Sequence, residues 1–277
     1  MIARRMLRVV QYLVLVAVAI VGLAPFVILA IISFKTRIQV LEVPPSLTFD
    51  LNTIVKNYAD VIFDRGFLRY TVNSTIITTA TVMISLVLAT PMAYAFSRLR
   101  FRARDRLATT ILSLRFMPPV AIAIPVLLMM RTINLDDTYP GLILPYIAFS
   151  LPLTVWILIG FFDEVPRELD DAALVDGCSR IGVLIRIMIP LVRPGMIVAA
   201  IFGAIFIWNE FLVGLYIVNS QTLKTIPLGA AGLISAQRPI DWNVAATVGI
   251  VTIIPIFIFS LFIQRYIVRG ITAGAVR

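Results

Sequence analysis

The sequence predicts an all-α protein that crosses a membrane several times. Three observations carry this. Of the 277 residues, 60% are hydrophobic, and the mean hydropathy is +0.98, whereas a soluble domain is nearer half apolar. The apolar residues also gather into runs of about twenty or more, enough to cross roughly 30 Å of hydrocarbon at about 1.5 Å per residue. In lipid the backbone must satisfy its own hydrogen bonds, which leaves helices and closed barrels. A barrel would alternate over segments of about ten residues; these runs are apolar on every side.

Six spans are expected in a single transmembrane domain over residues 1–277: Tyr12–Phe34, Tyr70–Phe96, Leu107–Met130, Tyr139–Phe162, Gly195–Val218 and Val244–Ile267. The first follows Arg4, Arg5 and Arg8 like the start of a signal peptide. Its apolar run is too long for one and no A-x-A cleavage site follows, so it reads as an uncleaved helix. Between the first and second spans, Lys35–Arg69 carries Pro44-Pro45 and a polar stretch with aromatic residues, consistent with a small periplasmic cap or short helices. Pro118, Pro119 and Pro125 bend the third span, and Arg115 within it has a stem long enough to snorkel to the interface. Asn219–Asn243, with Gly229, Gly232 and Pro239, reads as a mobile loop between the last two spans.

Charge sets the orientation. With the N-terminus inside, fifteen Arg fall on the cytoplasmic side, including the run Arg98, Arg100, Arg102, Arg104 and Arg106, against eight Lys or Arg outside. By the positive-inside rule both termini and the segment Asp163–Pro194 face the cytoplasm. The net charge of +9 therefore reflects topology and contact with membrane lipid, and nucleic acid is not an expected partner. One cysteine, Cys178, excludes an internal disulfide, and the absence of His removes the commonest metal ligand and general base. With no G-x-x-x-x-G-K-[ST] loop, no cofactor, metal site or catalytic residue is expected, and the chain is not read as an enzyme. Its energy should come from a partner.

Residues 163–194 hold the most specific pattern. Pro166 suits a first helical position, and Glu168, Asp170 and Asp171 place negative charge in the first turn. Leu169, Ala172, Ala173 and Asp176 share one face, and the two Ala admit a close backbone. Gly177 can end the helix at positive φ, and Ser179 can cap a second helix running to Pro190. Read physically, this is a helical hairpin at the membrane surface.

Asp171-Ala172-Ala173, Gly177, Ile187 and Pro190 resemble, at every spacing, the loop by which permeases of ABC importers grip their ATPase subunits. Asp171 stands for that family's Glu and Ile189 for its Leu. The resemblance implies a type I ABC-importer permease fold in a bacterial inner membrane. Glu168, Asp171, Ala172, Ala173 and Gly177 would seat in the ATPase, with Ile187 and Pro190 fixing the return path. Further strings resemble the carbohydrate branch, the second permease of maltose-type importers: Trp208-Asn209-Glu210-Phe211, Leu223–Gly229, and Gln264-Arg265-Tyr266 through Gly274-Ala275-Val276. Ser33-Phe34-Lys35 and Ala93-Tyr94-Ala95-Phe96 match more loosely.

The partners so implied are a homologous second permease, two ATPase subunits that bind ATP and Mg, and an extracytoplasmic sugar-binding protein. Gln237 and Arg238 are candidate contacts for the last. Trp208, Asn209 and Glu210 are candidates for the sugar path, by an apolar ring and polar groups for hydroxyls. Alternatively, Glu210 is a buried carboxylate that holds the two permeases together. The alternative solute within the family is a polyol or a glycerol-phosphate-type molecule. An ion-coupled secondary transporter would need coupling residues and repeated broken helices, for which Glu210 alone is thin material.

Overall fold

A computed structural model describes residues 2–44, 46, 48–233 and 240–274. Besides short π and 3-10 turns, thirteen α-helices are found among them. They are α1 (Ile2–Ser33), α2 (Arg37–Leu41), α3 (Leu51–Ala59), α4 (Phe67–Arg98), α5 (Arg104–Ser113), α6 (Pro119–Thr132), α7 (Tyr139–Glu164), α8 (Glu168–Val175), α9 (Arg180–Val183), α10 (Ile189–Trp208), α11 (Leu212–Ile217), α12 (Ile226–Ala231) and α13 (Trp242–Gly274). The chain divides into two units, Met1–Leu68 with Gly229–Ile254 and Arg69–Leu228 with Pro255–Arg277.

Five helical stretches among the described residues are long and apolar enough to cross a membrane: Arg8–Ser33, Phe67–Arg98, Tyr139–Glu164, Arg180–Trp208 and Trp242–Leu261. The expected third span, Leu107–Met130, is not one helix. Arg104–Phe116 and Pro119–Thr132 meet at a bend of 97°, and six spans result only if this pair counts as one. Two prolines in series explain the break. Each forces its predecessor out of the α region, and Met117 (ψ 127°) and Pro118 (ψ 124°) are both extended.

The fifth span also departs from expectation, at both ends. Its helix starts at Arg180 rather than Gly195, so the loop expected over 163–194 is helical for its second half. Pro190 does not stop it. A π turn over Leu184–Met188 comes just before, and a wider turn relieves the clash of a proline ring with the carbonyl one α turn back. At the far end the helix closes at Trp208, and the short α11 follows three residues later.

In the first unit, the segment from Lys35 to Leu68 contains short helices. Thr36 caps α2 in a capping box and Asp50 caps α3. Asn57 Nδ2 donates to the carbonyls of Ser33 and Lys35, each at 2.9 Å, which ties α3 to the end of α1. No residue in the most apolar stretch of α1 is buried within the chain.

The second unit has two cores. One gathers Ala93, Tyr94, Leu158, Phe162, Ala173, Val183, Met188 and Val192, from α4, α7, α8, α9, the π turn and α10. The other gathers Ile77, Met130, Leu142, Tyr146, Ile207, Val213 and Ile217, from α4, α6, α7, α10 and α11. The helices α4, α7 and α10 take part in both, so they set the distance between everything at one end and everything at the other.

Candidate functional site

The segment between α7 and α10 is built as a short helix with a defined stop. The helix α8 begins at Glu168, two residues after Pro166, within the usual latitude of helix ends. Gly177 has φ +84°. Its N–H reaches the carbonyl of Leu174 at 3.1 Å, while Cys178 N–H reaches that of Ala173 at 3.0 Å. These two bonds are the Schellman pattern that satisfies the last carbonyls of a helix, and the residue between them must be left-handed. Ser179 Oγ then accepts from Gly182 N–H at 3.1 Å and starts α9.

Burial sorts the expected site residues into two sets. Glu168, Asp171, Ala172 and Gly177 are exposed, as is Pro190. Glu168, Asp171, Ala172 and Val175 recur at helical spacing, so α8 presents one outward stripe, and it ends in an apolar Val175 that is 87% exposed. Ala173 faces the other way, 5% exposed in the first core, and Ile187 packs against the same core.

The candidates near the end of α10 have internal partners. Trp208 is 3% exposed and meets Phe259 edge-on at 6.3 Å. Asn209 is exposed, its Nδ2 donating to Ile205 O at 2.7 Å. Glu210 caps α11. Its Oε1 accepts from Val213 N–H at 2.9 Å and its Oε2 from Gly214 N–H at 3.2 Å and from the Tyr146 hydroxyl. A carboxylate is stabilised at a helix N-terminus by unpaired N–H groups and the helix dipole. Arg115 lies with its guanidinium carbon 4.0 Å over the Phe206 ring, a cation–π contact, and Nη1 is 3.4 Å from the carbonyl of Phe149. Its guanidinium is therefore held inside the chain, by α7 and α10. Gln237 and Arg238 lie outside the described residues.

Asp137, between α6 and α7, organises the chain after α11. Its Oδ1 accepts from Asn219 N–H, Ser220 N–H and Ser220 Oγ, each at 3.0 Å. Burial pushes its pKa up, but the bonds from Ser220 and Asn219 outweigh this and hold it below the ordinary carboxylate value.

The sequence profile described as "Binding-protein-dependent transport system inner membrane component" matches residues 82–273. The chain belongs to this family. This inner membrane component is 31% identical over 256 residues to the sulfoquinovosyl glycerol transport system permease of Agrobacterium fabrum, covering 92% of this chain and 89% of that one. It is also 31% identical over 264 residues to the trehalose/maltose transport system permease of Thermococcus litoralis, covering 95% and 94%. Among solved structures, a bacterial ABC transporter that imports the acidic polysaccharide alginate has a chain that superposes with a TM-score of 0.80 at 21% identity, covering 95% of this chain and 97% of that one. The fold is that of an ABC-importer permease, and the protein is a multi-pass inner-membrane component.

Sequence reasoning about this permease missed Asp170. It was read as one more acid for the helix dipole, yet it is the charged residue of α8 that points inward, 9% exposed on its side chain. Its Oδ2 lies 2.8 Å from Arg98 Nε, and Arg98 is 5% exposed. The two atoms are not aligned for a hydrogen bond, so this contact is an ion pair. The Tyr94 hydroxyl donates to the other oxygen at 3.0 Å, and Arg98 Nη2 donates to Val165 O at 2.7 Å. The Ala-Tyr-Ala-Phe string before the Arg cluster was the available signal.

Proposed function

We propose that this permease is one of two homologous membrane subunits of an ATP-driven importer for a sugar, and that the outward stripe of α8 seats in a cytoplasmic ATPase subunit. The observation that carries the coupling role is the stripe itself. Glu168, Asp171, Ala172 and Val175 stand clear of the chain on a helix that Gly177 stops and the first core supports from behind. An exposed apolar Val175 beside small Ala172 is what a partner's cleft can cover. The orientation from the Arg count puts this face in the cytoplasm, where ATP is, with both termini on the same side. ATP and Mg would sit on the ATPase subunits. A sugar as solute is supported by the relatives, whose names specify sulfoquinovosyl glycerol and trehalose/maltose.

On this reading ATP closes the ATPase pair, the seated helices of both permeases move together, and the membrane cavity opens alternately to the extracytoplasmic binding protein and to the cytoplasm. Of the three residues expected to line the sugar path, Asn209 is the exposed one, whereas Trp208 and Glu210 act in support behind it. Gln237 and Arg238 remain the proposed contacts for the binding protein.

The test is co-purification of the ATPase with tagged permease, alongside ATP-dependent uptake of radiolabelled trehalose and maltose. Ala172→Arg and Gly177→Pro should leave the permease inserted and reduce bound ATPase about tenfold or more, the scale expected for a central interface residue. Wild-type co-purification with normal uptake in both variants would overturn the assignment. Ala173→Arg is the less informative change, because Ala173 belongs to the permease's own core.

A further inference from the structure

The helix α4 is gripped at both ends by side chains that the coupling stripe does not use. At the end near α8, Arg98 and Tyr94 hold Asp170. Twenty-five residues earlier on the same helix, Asn73 Nδ2 donates to the carbonyls of Thr222 at 2.9 Å and Lys224 at 2.8 Å, while its Oδ1 accepts from the Tyr139 hydroxyl at 2.6 Å. Ser74 Oγ accepts from Ile226 N–H at 3.0 Å. The two grips lie about 37 Å apart at about 1.5 Å per residue, along one helix that continues through Pro91.

We infer that α4 is the transmission rod of this subunit: Arg98 and Tyr94 are positioning residues that make α8 move with α4, and Asn73 and Ser74 pass that movement to the segment 222–226. The inference rests on the reading of α8 as the ATPase-binding surface. Charge and burial supply the argument. Arg98 and Asp170 have almost no solvent to turn to, so a rotation of α8 against α4 would leave each charge buried and unpaired. The Tyr94 ring, edge-on to Phe162 at 5.7 Å, fixes the hydroxyl from the α7 side. At the far end, backbone groups of 222–226 are satisfied by side chains of α4. That segment therefore follows α4 or loses the bonds that shape it.

The two roles of α8 are separable because they use opposite faces. Asp171 and Ala172 point out, and Asp170 points in. A defect in the clamp should therefore leave the ATPase bound but deaf the far end of α4 to it.

The experiment uses the assembled transporter with its binding protein. Cys178 is replaced by Ser, and a reporter cysteine, Val72→Cys, is placed on the exposed side of α4 beside Asn73. Its rate of alkylation by N-ethylmaleimide is measured with and without trapping by ATP and vanadate. With the clamp intact, trapping should change the rate roughly fivefold or more, the lower end of ordinary coupling between sites. Asp170→Asn should retain ATPase co-purification and trapped nucleotide while bringing the ratio of rates close to one. Asp170→Glu, which keeps the charge, should recover part of the response. Tyr94→Phe removes a single hydroxyl and serves where Asp170→Asn fails to accumulate; it should diminish the response with the ATPase still bound. The inference is overturned by an unresponsive reporter with the clamp intact, or by a full response in Asp170→Asn and Tyr94→Phe. Loss of the ATPase from both variants would also overturn it, by placing Asp170 in the ATPase contact itself. The coupling surface is judged separately, by Ala172→Arg and Gly177→Pro.

Discussion

At Glu210 one side chain decides where a membrane helix can stop. Trp208 ends α10, and a chain that breaks inside hydrocarbon exposes N–H groups that lipid cannot satisfy. Glu210 takes two of them and the Tyr146 hydroxyl besides. Tyr146 is itself buried, and a Cβ at Gly214 would lie 3.1 Å from its oxygen, so the three residues are fitted to one another. Glu210→Ala should lower the stability of the solubilised permease by about 1–3 kcal/mol, the cost of leaving buried donors unsatisfied. Glu210→Gln, which keeps one acceptor oxygen, should cost less. Thermal unfolding in detergent gives the order, and equal losses would refute the capping role. The break was legible in part, since Asn209-Glu210 are two polar residues in the middle of an apolar run. What hid it was the run's length, which satisfied the requirement for a span without any break.

The elements show why some boundaries could be read locally and others could not. Gly177 as a helix stop needs only its neighbours, and the bonds from Gly177 and Cys178 are local. The inward turn of Asp170 is different, because its hydroxyl partner Tyr94 is 76 residues away. No helical periodicity distinguishes it from Asp171. The break before α6 lies between these cases: the pair Pro118-Pro119 announces a bend, but not one of 97°. That bend should depend on both prolines, because each holds one extended residue. Replacing both by Ala should let Arg104–Thr132 run on as a single helix. The check is a pair of spin labels at exposed Leu107 and Met129, whose separation should lengthen toward the roughly 33 Å of a straight helix. An unchanged separation would assign the bend to packing, and Pro119→Ala alone should give only a partial change.

For the whole molecule, α4, α7 and α10 run through both cores of the second unit, and the family profile begins at residue 82. The residues matched to the family therefore lie mainly in the second unit, with α1, α2 and α3 outside the match. Hydropathy and Arg placement were enough to find the long helices, because lipid imposes length and polarity directly. They were silent about which polar residues of α4 are anchors, since Asn73, Ser74, Ser85 and Ser97 are all buried and look alike in sequence.

The bare surface of α1 has a consequence for rotational phase. Along its most apolar stretch none of its residues is buried within the chain, and its polar contacts collect near its end, where Ser33 Oγ lies 3.2 Å from the Tyr58 hydroxyl. One inserted alanine turns everything on one side of it by about 100°. Placed between Leu13 and Val14, it should leave insertion and the folding of this subunit close to wild type, because no residue there is buried within the chain. Placed between Met83 and Ile84 in α4, the same residue puts Asn73 and Arg98 out of phase, and uptake should collapse. Scanning such insertions along both helices would map which parts of this membrane protein carry angular information and which only supply length.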